Sequence, residues 1–329
     1  MTATWGPDVL GPDFQALTLP LADDDEGAVV ATLVRHRPAG PGTAPPDAAT
    51  VRAVLYLHGW NDYFFQVPTA QFWHGLGVAF YALDLRKYGR SLREGQSAGY
   101  IEDLAEYDAE IGLALAEIRA DLGPHARIML HAHSTGGLVA VLWAARHPGV
   151  TRGLVLNSPW LELAGATFAR ALAGPVSTGL ARTQPKVALP NIDPGHNARG
   201  VLRRLGGEWE YEEAWRPTPM FPIRPGWAQA ILTGHAEVAR GLDLREPALT
   251  LISARSIIGP RWREDLTEVD SVLDVEQIAR RTIHLGRVST LVRIPGGQHD
   301  LSLSALPART RYYQEIARWL ASYGWSGTD

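Results

Sequence analysis

One serine stands where a chain would place a nucleophile. The stretch Arg127-Ile128-Met129-Leu130-His131-Ala132-His133-Ser134-Thr135-Gly136-Gly137-Leu138 begins as an apolar run, stops at a serine and continues into an alanine-rich segment. The residues two before and two after the serine, Ala132 and Gly136, are small. A strand that turns directly into a helix brings its two arms together, so the flanking positions must be small. Alanine in the first of them, where glycine is usual, is a mild departure. A serine at this point also sits at the start of a helix, whose positive dipole end favours a developing negative charge. A serine that only caps a helix gives the same local pattern without chemistry, so the decision rests on partners.

A serine hydroxyl needs a base within hydrogen-bond reach, and the base needs a group to orient it. After the last apolar run comes Ile294-Pro295-Gly296-Gly297-Gln298-His299-Asp300. A histidine on a glycine-rich loop in that place suits the base, and His299 is assigned to it. His131 and His133 lie nearer in sequence, but they flank the turn and should point away from the attacking side. The acid is expected just after the run 248–252, yet Ser253-Ala254-Arg255-Ser256 carries no carboxylate. Asp270, at the end of a loop before a helix-like stretch, is the choice. Asp274 stays open as the second candidate, although a carboxylate there also suits a helix start. Two backbone N–H groups should face the oxyanion. Thr135, following the nucleophile, supplies one and Trp60 of His58-Gly59-Trp60-Asn61 the other, with Gly59 permitting close approach.

These residues need a frame. Short apolar runs at 51–57, 78–83, 127–130, 153–156, 248–252 and 290–294 lack alternation, as strands buried on both faces do. Helical spacing occupies 101–122, 136–147 and 306–323, the last with Tyr312, Ile316, Trp319 and Leu320 as its buried stripe. Segments 14–21 and 28–36 flank an acidic turn and read as a hairpin. A proline-rich loop at 38–46 follows. Strands alternating with helices predict an α/β fold with a doubly wound, mostly parallel sheet. Residues 160–246 break the alternation with many Pro, Gly and Trp. They are read as a cap inserted into a core made of 1–159 and 247–329.

Composition narrows the function classes. The net charge of -4 and the scattered basic residues give no footprint for nucleic acid. The chain has no cysteine, which excludes disulfides, thiolate metal sites and a cysteine nucleophile together. The first residues do not read as a secretory signal, and no apolar run approaches the roughly 20 residues of a membrane span. The expectation is a cytoplasmic chain without stable membrane insertion.

Several strings together resemble the α/β-hydrolase superfamily, and within it the monoacylglycerol lipase, lysophospholipase and serine aminopeptidase group. They are Leu57-His58-Gly59-Trp60, Asp84-Leu85-Arg86-Lys87-Tyr88-Gly89-Arg90-Ser91, His133-Ser134-Thr135-Gly136-Gly137, Asn157-Ser158-Pro159, Asp270-Ser271-Val272-Leu273-Asp274 and Gly297-Gln298-His299-Asp300. The resemblance spans most of residue 51 onward except the cap. It implies the α/β-hydrolase fold, a triad of Ser134, Asp270 and His299, an oxyanion hole from Trp60 and Thr135, and no metal or organic cofactor. It makes 84–91 a structural turn. The long stretch from Arg255 to Val269 before the acid departs from the family pattern. The implied substrate is a small-molecule ester or lipid, cleaved through an acyl-enzyme. Trp209, Trp215 and Trp227 of the cap either line an acyl pocket or form the cap's own core. Two alternatives stand beside this. One is an aminopeptidase or amidase, for which Glu208, Glu210, Glu212 and Glu213 would hold a substrate amine. The other is a binding protein of the same fold without catalysis. Dehalogenase chemistry would need an aspartate in place of Ser134.

Overall fold

The computed structural model describes residues 4–38, 51–163, 175–190, 193–323 and 325. From residue 39 on, the proline-rich loop lies outside the described residues. The strands are β1 (Gly6–Asp8), β2 (Gly11–Pro20), β3 (Val30–His36), β4 (Arg52–Leu57), β5 (Ala79–Asp84), β6 (Arg127–His133), β7 (Leu154–Asn157), β8 (Ala248–Ser253) and β9 (Ser289–Ile294). They form one sheet in the order β1-β2-β3-β5-β4-β6-β7-β8-β9. From β5 to β9 every pairing is parallel, and the β1, β2 and β3 end is antiparallel. The six apolar runs are the six parallel strands, and β2 and β3 are the expected hairpin. The short strand β1, Gly-Pro-Asp, carries no sequence signal of its own.

Side chains alternate across the sheet because a strand has a period of two. Leu55, Leu57, Leu83, Leu130 and Leu156 face one layer, formed by α2 (Tyr107–Leu122), α3 (Thr135–Arg146), α6 (Pro225–Arg240) and α7 (Val275–Thr282). Val54, Tyr56, Phe80, Met129 and Leu249 face the other, formed by α1 (Val67–Gly75) and α8 (Leu306–Ser322). In α8, Tyr312, Ile316 and Trp319 are buried and Leu320 is partly so, as its spacing predicts. Helices on both faces make this the doubly wound α/β-hydrolase architecture. Between β7 and β8 the chain leaves the sheet and forms α4 (Pro175–Thr183), α5 (His196–Val201) and α6. Gly234 lets α6 settle on α3, since a Cβ there would come within 3 Å of Leu104 and Leu142.

The turn after β5 braces the loop that carries Trp60. Asp84 accepts the Phe64 N–H at 2.9 Å through Oδ1 and the Arg90 N–H at 3.0 Å through Oδ2. Arg90 Nη1 returns to Asp84 at 2.8 Å, while Nε and Nη2 take both oxygens of Asp8 on β1 at 2.6 and 2.9 Å. All three charged groups are buried. Removing one partner of a buried ion network strands the others, at a cost of about 3–5 kcal/mol. Arg90→Met is therefore expected to lower unfolding free energy by that order in urea titration. A loss below about 1 kcal/mol would contradict this role for the turn.

Candidate active site

The turn that carries Ser134 is built by close backbone approach. Ser134 follows β6 and precedes α3 with φ 51° and ψ −118°, outside the regions that L-residues favour. Its N–H donates to Asn157 O at 3.0 Å, and its carbonyl accepts from Gly137 and Trp160 N–H, each at 2.9 Å. A Cβ on Gly136 would lie 2.2 Å from His58 O, and one on Gly137 would lie 2.6 Å from Pro159 Cβ. A Cβ on Gly59 would lie 2.9 Å from Ser134 Cβ. The glycines therefore allow β4, β6 and α3 to converge on the serine. Ala132 is fully buried in the first small position.

The structure brings the three expected side chains together. His299 Nε2 lies 3.0 Å from Ser134 Oγ, and His299 Nδ1 lies 2.9 Å from Asp270 Oδ2. Asp270 is fully buried, and its Oδ1 accepts Val272 and Leu273 N–H at 2.9 and 2.7 Å. The carboxylate thus enters already oriented. The long stretch before it closes on itself. Asp270 N–H donates to Arg255 O at 3.1 Å, and Ile257 N–H donates to Asp270 O at 3.0 Å. This pinch brings Asp270 back to the end of β8 despite its distance in sequence. Asp274, the other candidate, caps α7 by accepting Glu276 N–H at 2.9 Å. Trp60 and Thr135 both flank Ser134 on the wall of the adjoining cavity.

The other two histidines near the turn differ: His133 lines the same cavity, with its ring centroid 4.9 Å from that of His299, contrary to the expectation that it points away. His131 lies in the core, with Nδ1 accepting from Trp73 Nε1 at 3.1 Å and Nε2 2.6 Å from the Tyr312 hydroxyl. Burial pushes it down to about 3. His133 Nδ1 lies 3.1 Å from Asn157 O, and burial pushes it down to about 4 even with Asp300 nearby.

Ser134 and His299 open onto a cavity of about 680 Å³. Its apolar lining includes Trp160, Met220, Ile223, Trp227, Val272 and Leu273. Trp60 and Trp227 lie with ring centroids 3.9 Å apart. The cavity's polar lining includes Asp62, Asp193, Asn197 and Arg216. Burial raises the Asp62 carboxyl to about 7, with Arg216 Nε at 3.3 Å pulling the other way. Of the three cap tryptophans expected here, only Trp227 lines the cavity. Trp209 donates to Leu303 O at 2.8 Å, and Trp215 packs edge-on to Tyr63 at 5.1 Å. Both fill the seam between the 160–246 segment and the core instead, because Tyr63 and Phe65 present an apolar patch there. Trp160, Asp62 and Arg216 were not singled out from the sequence. Trp160 follows directly on the quoted Asn157-Ser158-Pro159, which was the available signal. Nothing local marks Asp62 or Arg216. Glu208, Glu210, Glu212 and Glu213 do not line the cavity.

Sheet order, inserted segment and serine turn define the class: the chain has the α/β-hydrolase fold. Within it, the chain is similar to the monoacylglycerol lipase, lysophospholipase and serine aminopeptidase group. The family model for serine aminopeptidases (S33) matches residues 48–205. A monoacylglycerol lipase of Mycolicibacterium smegmatis is 25% identical over 283 residues, covering 84% of this chain and 91% of that protein. The fold is shared with two solved structures. One is a monoacylglycerol lipase of Paleococcus ferrophilus (TM-score 0.60, 18% identity, 82% of this chain and 94% of that one). The other is a soluble variant of the monoglyceride lipase of Saccharomyces cerevisiae in complex with a substrate analog (TM-score 0.64, 16% identity, 93% and 96%). No helix among the described residues is long and apolar enough to cross a membrane.

The low position of His131 has a pH consequence. Unfolded, it takes up a proton near its ordinary 6.5; folded, it stays neutral until about 3. The unfolded state therefore binds more protons in that window, and His131 withdraws stability as pH falls below about 6.5. His131→Phe leaves the buried Trp73 Nε1–H without an acceptor and the Tyr312 hydroxyl without its donor, and is less stable at pH 7.5. Its deficit against the wild type is expected to shrink between pH 6.5 and 4.5 in urea unfolding. A constant gap across that range would contradict the assignment.

Proposed function

We propose that the chain is a serine hydrolase of carboxylic esters, with Ser134 as nucleophile, His299 as general base and Asp270 as its orienting acid. The observation that carries this is the continuous Ser134–His299–Asp270 hydrogen-bond chain beside a largely apolar cavity. His299 Nε2 takes the hydroxyl proton as Ser134 Oγ bonds to the ester carbonyl carbon. Asp270 holds the Nδ1–H tautomer and stabilises the imidazolium. The tetrahedral oxyanion faces the backbone N–H groups of Trp60 and Thr135. Its collapse breaks the C–O bond, and the leaving alkoxide takes the proton from His299. Water then repeats the cycle on the acyl-enzyme, releasing the acid and restoring Ser134.

In this reading residues 160–246 act as a cap that sizes the pocket. An acyl chain lies against Trp160, Trp227 and Ile223, and the alcohol lies toward Asn197 and Arg216. The monoacylglycerol lipase relatives support a lipid-like acyl ester. Ester is favoured over N-terminal peptide because the polar wall offers an ammonium group little uncompensated negative charge. Asp62 is paired with Arg216, and Asp193 accepts the Gly195 and Met220 N–H groups at 2.8 and 3.2 Å.

The test is labelling with a fluorophosphonate probe followed by hydrolysis of a p-nitrophenyl ester series of increasing chain length. Wild type should label and turn over, and Ser134→Ala should do neither. Asp270→Asn should lose on the order of 10⁴ in kcat. Folded wild-type protein that neither labels nor turns over any ester sinks this reading and leaves a binding protein. In the same series, Trp227→Ala is expected to move the preferred chain length upward. An unchanged preference would remove Trp227 from the pocket wall.

A further inference from the structure

We infer that Asn157 is a positioning residue that fixes the nucleophile turn and the general-base loop to one another, with Asp300 as its partner. This rests on the triad reading above and gives a task to Asn157 and Asp300, which the quoted strings contain without a role. Asn157 is the last residue of β7, fully buried, and its three predecessors in that strand are apolar. It sits in register between His133 on β6 and Leu251 on β8. Its backbone carbonyl accepts the Ser134 N–H at 3.0 Å and lies 3.1 Å from His133 Nδ1. Its side chain faces the opposite task. Nδ2 donates to Asp300 Oδ1 at 2.7 Å, and Oδ1 accepts the Leu301 N–H at 3.1 Å.

One residue thus holds Ser134 through its main chain and the two residues after His299 through its amide. Only an amide presents a donor and an acceptor in this fork. Asp300 is well anchored in turn. Its Oδ1 also accepts Ser302 N–H and Oγ–H at 2.9 and 2.7 Å, and its Oδ2 accepts Gln66 Nε2 at 3.3 Å. Burial alone would raise the Asp300 carboxyl. His133 and the bonds from Ser302 and Asn157 outweigh that and hold it below its usual value. The strand end cannot shift without breaking sheet pairing on both sides, so it is a fixed reference for both reacting groups. Displacements of about an ångström at such groups cost on the order of a hundredfold in rate.

The experiment compares wild type, Asn157→Asp, the exchange variant Asn157→Asp with Asp300→Asn, and Ser134→Ala, all as the full chain and checked for folding by circular dichroism. Asn157→Asp places a carboxylate against Asp300. We expect kcat on a p-nitrophenyl ester to fall at least a hundredfold at pH 8 with KM within about threefold. The deficit should narrow toward pH 5 as the carboxyl pair takes up a proton. The exchange variant restores an amide–carboxylate pair and should recover kcat to within about tenfold of wild type. A residue of merely structural use would move stability but not the kcat–KM split, the pH profile or the rescue. Folded Asn157→Asp with wild-type kcat, or an exchange variant no better than the single one, overturns the inference. Should Asn157→Asp fail to fold, Asn157→Ala decides: a tenfold or greater loss in kcat at unchanged KM supports it, and unchanged kcat overturns it. Ser134→Ala separates the two levels. If it still turns over ester, the triad reading has failed. If it is inactive while the Asn157 variants are not impaired, only the positioning role has.

Discussion

Ser134 faces His299 because its backbone is held in a conformation that a non-glycine residue avoids. A residue at φ 51° and ψ −118° carries strain of about 1–3 kcal/mol, and it persists only where surrounding packing leaves no alternative. Here the constraint comes from four directions. The end of β4 presses on α3 through Gly136, Pro159 presses through Gly137, the loop of Trp60 closes through Gly59, and β7 holds the serine N–H. The Arg90 ion network behind the Trp60 loop and the apolar layers on each face of the sheet serve this arrangement. The turn is the point at which the fold's cohesion is converted into a reactive geometry.

The cavity beside it is divided by chemistry. Its aromatic lining is built from Trp60, Trp160 and Trp227, with Trp227 tilted against each of the other two. Its polar side is nearly closed in charge. The Arg216 guanidinium lies over the Tyr211 and Phe65 rings at 4.6 and 5.3 Å and meets Asp62. Asp62, His133 and Asp300 bring donor atoms within 4.8 Å of one another, and Arg216 supplies positive charge beside them.

What could be read in the sequence followed from how local each signal is. Parallel strands buried on both faces leave continuous apolar runs, so β4 to β9 were visible, as was the hairpin of β2 and β3. The turn at Ser134 was visible because its steric demands fall on immediate neighbours. His299 was visible because it follows the last strand. Asp270 depended on the family pattern, since the excursion 254–269 separates it from β8 and only a backbone pinch returns it. The tryptophans of the 160–246 segment show the limit. Composition marked them as apolar, but whether a ring faces a cavity or a seam depends on surfaces far away in sequence. Tyr63 and Phe65 drew Trp209 and Trp215 away, whereas Trp227 meets both Trp60 and Trp160. Strand β1 and Arg216 were illegible for the same reason: their partners, Arg90 and Asp62, lie 80 residues or more distant.

The pinch that carries Asp270 has a bearing on how such a protein changes over time. Between its two paired ends the excursion extends outward, and Ile258, Gly259 and Pro260 form part of the cavity wall. His196 of α5 meets it at Gly259 O (3.1 Å), and Arg199 stacks on Trp262 at 4.3 Å. Lengthening a surface loop costs little chain entropy, about 0.6 kcal/mol per doubling. The bridge at its base isolates the carboxylate from whatever is inserted beyond it. Residues gained or lost between 258 and 268 therefore reshape the chamber while leaving its chemistry in register. The loop is a place where lineages can diverge in substrate without first losing activity.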